Sequence, residues 1–148
     1  MKIPLIEAEV SGSLRDIVVF TVKCGTISFF TKAIIDNGCP NVLIDQLDLA
    51  RTRIPYKARF KQVEGLPLGL GTHLFDRLDM GICELIFKDI EGKVHTFKHQ
   101  TYAMICQDEK VLSVGSSLIG RDFLGTFNLG LSRKDKDGKR FLEGDDSS

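Results

Sequence analysis

The chain has 148 residues, and Lys+Arg and Asp+Glu stand equal at 20 each, so it carries no formal net charge. That balance removes the electrostatic case for nucleic acid or an anionic membrane as partner. With 43% hydrophobic and 27% charged residues, the composition is that of a globular domain able to build one core without disulfide or metal staples.

In chain order, period-2 alternation dominates. Ile6, Ala8 and Val10 alternate with Glu7 and Glu9, and Ser11-Gly12-Ser13 turns the chain. Strands are expected over Ile17–Cys24, over Ile27–Asp36 after the break at Gly25, and over Val42–Ile44. Asp45–Arg51 reads as one helical turn that Pro55 closes. Arg59–Glu64 reads as extended, and Gly65, Gly69 and Gly71 then crowd one short segment, the mark of a mobile or strained backbone. Leu78–Phe87 and Val94–Cys106 read as strands joined by a turn at Asp89–Lys93, and Gln107–Lys110 as a polar turn. Arg121–Gly125 reads as a single helical turn, with alternation at Phe127, Leu129 and Leu131. A charged hairpin tip follows around Asp137-Gly138, then a brief strand at Phe141-Leu142 and a frayed tail. Many short strands with regular turns, and no βαβ alternation, predict an all-β barrel or sandwich.

The apolar runs are too short and too interrupted by charge for a membrane span. Glu7 breaks the N-terminal run before a secretory core could form, so a cytoplasmic protein is expected. Cys24, Cys39, Cys83 and Cys106 form no C-x-x-C pair, and His73, His95 and His99 are scattered. No metal site or cofactor is expected, and the thiols read as reduced and buried.

The most informative segment is Ala33-Ile34-Ile35-Asp36-Asn37-Gly38-Cys39-Pro40-Asn41-Val42-Leu43. A continuous apolar run delivers one carboxylate into an Asn-Gly turn, a costly setting for a charge unless something uses it. Taken alone, Asn-Gly between strands reads as a type I′ hairpin with Asp36 as a local cap in a surface turn. Against that, the run ahead of Asp36 is apolar on both faces, and a second aliphatic-aliphatic-glycine step lies downstream in Ser117-Leu118-Ile119-Gly120-Arg121-Asp122-Phe123-Leu124, with the glycine-rich loop between.

The two segments in this order resemble the retropepsin-like aspartic proteases, whose pattern is a small residue, two aliphatics, then Asp-Thr/Ser-Gly-Ala, a glycine-tipped flap, and a later aliphatic-aliphatic-Gly-Arg step. The resemblance implies an all-β, retropepsin-like acid-protease barrel with a flap hairpin and one short helix near the C-terminus. It implies a protease domain over residues 1–144 and a flexible tail over 145–148. It also implies a homodimer that hydrolyses a peptide or protein substrate. Asp36 of each copy would be catalytic, one carboxylate activating a water while the other donates to the scissile carbonyl. Asn37, Gly38, Gly120 and Arg121 would support the catalytic loop, with Leu118 and Ile119 packed behind it. Gly65, Gly69, Leu70 and Gly71 would touch substrate from the flap.

The chain departs from the pattern at four places. Asn37 stands where Thr or Ser is usual, and Cys39 where Ala is usual. Pro40 and Asn41 occupy the stretch where viral members carry an acid that pairs with the later arginine, so Arg121 would need another partner, Asp122 or Asp45. The alternative is therefore a catalytically weak or inactive copy of the fold, serving as a peptide-binding or dimerisation module.

Overall fold

The computed structural model describes residues 1–65, 67–70, 73–111, 113 and 115–145. Strands dominate them. They are β1 (Lys2–Pro4), β2 (Ile6–Val10), β3 (Ser13–Cys24), β4 (Ile27–Ile35) and β5 (Val42–Asp45), then β6 (Lys61–Gln62), β7 (Leu68–Leu70), β8 (His73–Lys88) and β9 (Val94–Cys106), and finally β10 (Ser117–Ile119), β11 (Gly130–Leu131) and β12 (Phe141–Glu143). Three short helices complete the fold: α1 (Gln46–Arg51), α2 (Tyr56–Arg59) and α3 (Arg121–Thr126).

The all-β class is as expected, and the large sheet is ordered β2-β3-β4-β10-β5-β9-β8-β6, with β7 paired to β8. An additional pairing of β3 with β8 returns this sheet on itself, so β3, β4, β10, β5, β9 and β8 form a closed circuit. Closure removes the unpaired edges those strands would otherwise expose. A second, three-stranded sheet runs β1-β12-β11, with Ile3 opposite Leu142 and both buried.

The interior is divided in two. The larger cluster includes Val18, Phe20, Val22, Leu85, Phe87, Phe97 and Phe123. Its aromatic centre is built from Phe20 stacked on Phe87 at 4.8 Å and Phe97 edge-on to Phe123 at 5.5 Å. A six-residue helix is marginal on its own, and α3 persists because Phe123 and Leu124 are buried in this centre. The smaller cluster gathers Ile17, Ile34, Cys39, Leu43, Phe75, Met104, Cys106 and Leu118.

Several boundaries differ from expectation. One helix was expected near the C-terminus, and α3 is that helix, running to Thr126; the turn at 45–51 is α1. The four residues of α2 show no helical period because they span barely one turn. Strand β8 begins at His73 rather than Leu78, since its first residues pair with β7 and β9. The alternation from Phe127 to Leu131 yields only a two-residue strand. Asn128 takes φ 53° there, and Phe127 packs on Phe123 at 5.1 Å instead.

Candidate active site

The segment 36–41 connects β4 to β5, yet those strands do not pair. Strand β10 lies between them, parallel to β4 with Leu118 opposite Ile34 and Ile119 opposite Ile35, and antiparallel to β5 with Leu118 opposite Leu43. The loop therefore arches over the end of β10 and is stitched to it. The Asp36 amide donates to Ile119 O (2.9 Å), the Arg121 amide to Cys39 O (2.9 Å) and the Asp122 amide to Pro40 O (3.1 Å).

Gly120 occupies the crossing. A Cβ there would collide with the Cys39 carbonyl oxygen and come within 2.6 Å of Asn41 O and 2.8 Å of Asn41 N. Every one of those atoms is backbone, so no side-chain motion relieves the clash. The expected close approach of the two segments at Gly120 is thus observed.

The type I′ hairpin of the surface-turn alternative fails on the same geometry. Neither Asn37 nor Gly38 has positive φ, which a type I′ turn requires, and the flanking strands are separated by β10. The local cap of that alternative is present: the Gly38 amide donates to Asp36 Oδ1 (2.9 Å), and the Cys39 amide donates to Asp36 O (3.2 Å). Ala33, Ile34 and Ile35 are buried, Asp36 is half-buried, and Asn37 and Gly38 are exposed. One carboxylate is thereby held at the rim of the apolar interior.

Asp36 has a charged neighbour that no motif announces. Arg15 Nη2 lies 3.7 Å from Asp36 Oδ2. Arg121 does not find the expected partners: among the described residues it makes no ion pair, Asp122 Oδ2 accepts from Asn41 Nδ2 at 3.5 Å, and Asp45 Oδ2 accepts from Ser113 Oγ at 2.6 Å. Arg121 instead lines an open concavity of about 410 Å³ beside Asn37, Leu124 and Asn128. Cys39 is buried, and burial foremost pushes its thiol above the ordinary value, partly offset by its contact with Asn41 O at 3.4 Å. Asp36 adds to the rise, whereas Arg121 and Arg77 oppose it.

Behind the loop, a polar knot ties β4, β10 and α1 together. Ser117 Oγ and Thr31 Oγ1 are 2.7 Å apart, the Asp45 amide donates to Ser117 Oγ (2.9 Å), and Thr31 Oγ1 donates to Asp48 Oδ2 (2.5 Å). Ser117 and Thr31 are buried, and their mutual satisfaction makes the site's backing rigid rather than costly.

The glycine-rich stretch belongs to a hairpin. Leu68 pairs with Phe75, Gly69 with Leu74 and Leu70 with His73, while Lys61 pairs with Asp79 nearer the base. Gly65 takes φ +133°, a region that disfavours side chains. Gly71 lies outside the described residues. Phe75 belongs to the smaller apolar cluster, and Leu68 packs against it, so the hairpin is anchored on the buried core that also holds Ile34, Leu43 and Leu118.

Arg77, like Arg15, lies in no motif. From β8 its Nη1 donates to Asn41 Oδ1 (2.9 Å), and its guanidinium lies 5.6 Å from the Tyr102 ring centre. No cluster of three or more His, Cys, Asp or Glu able to hold a metal occurs among the described residues. None of their helices is long and apolar enough to cross a membrane.

No protein-family model and no curated protein matches the chain. Among solved structures, it is similar to EIAV protease complexed with the inhibitor HBY-793, at 11% identity and TM-score 0.48 over 84% of this chain and 99% of that one. It is also similar to a retropepsin-like aspartic protease from Rickettsia conorii, at 15% identity and TM-score 0.47 over 93% of this chain and 87% of that one.

Proposed function

We propose that the chain is a homodimeric aspartic endopeptidase acting on extended peptides. The observation that carries this reading is the pinned, rim-exposed Asp36 carboxylate on a loop that locks over Gly120. One such group per chain is half of an acid pair. A two-fold partner would supply the other, because a closed dimer presents the same loop from both sides of its axis. Carboxylates brought that close share one proton. The ionised member then draws a proton from a bound water, and the protonated member donates to the scissile carbonyl. Water attacks directly, so no covalent intermediate forms and no cofactor is called for. The exposed concavity beside Asn37 and Arg121 is where a second copy would approach.

The hairpin spanning 61–79 offers a backbone edge on which an extended peptide can add as a strand, beside the partly buried Leu68, Tyr102 and Val111 that cap the smaller apolar cluster and suit apolar side chains. Gly38 keeps the loop tip small; a Cβ there would lie 3.2 Å from Asp36 Oδ1. Asn37 can both donate and accept across the axis, as a hydroxyl would, but from a longer side chain. The test is cleavage of a peptide library at mildly acidic pH by wild type and Asp36→Ala, with sedimentation at the same concentrations. Equal cleavage by both chains, or a strict monomer, would overturn the proposal.

A second reading is a peptide-binding or dimerisation module without turnover. Arg15 beside Asp36 Oδ2 favours it, because that cation competes for the oxygen an acid pair needs. Asn37→Thr separates the two: a large gain in cleavage marks a weakened protease, and none marks a binding module.

A further inference from the structure

We propose that Arg77 recognises an acidic side chain of the bound peptide, making the favoured ligand an extended apolar segment that carries one Glu or Asp. The inference rests on the peptide-handling reading above and narrows its substrate class.

Arg77 lies two residues after Phe75 on β8, hence on the same face of that strand, and it pairs with Met104 on β9. Phe75 and Met104 both belong to the buried apolar cluster under the hairpin, so this half-buried guanidinium stands at the margin of that cluster, beside the partly buried Tyr102 and the proposed peptide path. At its far end it meets Asn41, which closes the loop that begins at Asp36.

Among the described residues, two contacts fix the guanidinium, and both are neutral: the Asn41 amide oxygen at 2.9 Å and the Tyr102 ring. Asn41 is itself oriented through Nδ2 to Asp122 Oδ2 at 3.5 Å. Arg77 makes no ion pair among the described residues, whereas Arg140 is matched by Asp16 at 2.9 Å. The nearest acid on its own strand face, Asp79, is engaged elsewhere: its Oδ1 accepts from the Gly81 amide (2.7 Å) and from Gln100 Nε2 (2.6 Å).

A half-buried guanidinium held by neutral groups keeps its charge and its spare fork donors for an incoming anion. A carboxylate is the anion that an extended peptide can bring, and it can accept in parallel from the planar fork. Ordering by Asn41 and Tyr102 lowers the entropy lost on capture.

The test uses fluorescein-labelled apolar octapeptides in which Glu is walked through every position, each beside its Gln twin, with amidated and free C-termini. Binding is read by anisotropy in the Asp36→Asn chain, which separates recognition from turnover. At one position Glu should bind about tenfold tighter than Gln, the scale of one charge-assisted contact. The preference should vanish in Arg77→Gln, survive in part in Arg77→Lys and weaken with salt. A Glu/Gln ratio near one at every position, or a ratio unchanged in a folded Arg77→Gln chain, overturns the proposal. A preference present only with free C-termini also overturns it, by assigning the recognised group to the chain terminus. Lack of cleavage by wild type would sink the endopeptidase reading while leaving the Glu/Gln ratio intact, so the two failures are distinguishable.

Discussion

Arg15 stands directly across from Asp36. The β3–β4 register, which pairs Ile17 with Ile34, sets these two residues opposite each other when continued toward the loop, and the guanidinium comes to 3.7 Å of Oδ2. With Oδ1 taken by the Gly38 amide, both carboxylate oxygens are engaged within one chain. The arginine side chain is 39% exposed, so water and salt screen the pair. Arg15→Leu should therefore change stability by less than about 1 kcal/mol, read as a small shift in urea midpoint that shrinks further in salt.

Gly120→Ala should be far more damaging. Its methyl would enter the backbone of Cys39 and Asn41, and relief requires the whole 36–41 loop to lift. A loss of about 3 kcal/mol is expected, at the upper end for overpacking, measured by urea unfolding. Gly125 is the internal control. It lies within α3, has negative φ, and a Cβ there would meet nothing within 4 Å. Gly125→Ala should stabilise the chain by roughly 0.5–1 kcal/mol.

The turn between β8 and β9 should be sensitive to acid. Asp89 Oδ2 lies 2.8 Å from the buried His95 Nε2, and Oδ1 accepts the Glu91 and Lys93 amides at 2.9 Å each. The His95 contact foremost, followed by those amides, holds the carboxyl below its ordinary 3.8, against the opposing effect of burial. A depressed carboxyl contributes its stability at and above its unfolded value and loses it as pH falls through the folded one. The stability gap between wild type and Asp89→Asn should be full at neutral pH and should close only below about pH 3.8. Urea midpoints across that range measure it.

All four thiols should be silent in the native chain. Each is buried. Burial, with Cys24 alongside, pushes the Cys83 thiol up to about 12. Cys24 and Cys83 share one acceptor, Met80 O, at 3.2 and 3.7 Å, freed where the β8–β9 ladder slips between Asp79 and Gly81. A chromogenic disulfide reagent at pH 8 should register almost no fast-reacting thiol until denaturant is added, and then all of them.

The strands, the all-β class and the meeting of the Asp36 loop with Gly120 were legible because each leaves a local mark. Apolar alternation marks a strand, and an aliphatic-aliphatic-glycine step marks a tight crossing. Arg15 and Arg77 were not legible. Their roles depend on which residue lies across a ladder or at the end of a long side chain, and one arginine in a strand looks like any other. The partner of Arg121 was misjudged for the same reason: Asp122 and Asp45 are plausible by charge, but Asn41 and Ser113 hold them. The strand expected through Phe127 failed because ring packing outweighed alternation.

Strands β1 and β12 pair with each other inside one chain, and the backbones of Met1 and Gly144 bond reciprocally at 3.0 and 3.3 Å. Neither strand is left over to be lent to another molecule. Two copies could then meet and part as intact bodies, without either unravelling first. If the chain acts as the proposed homodimer, its association would follow simple mass action, and in dilute solution, where most chains are single, halving the protein would cut turnover about fourfold rather than twofold.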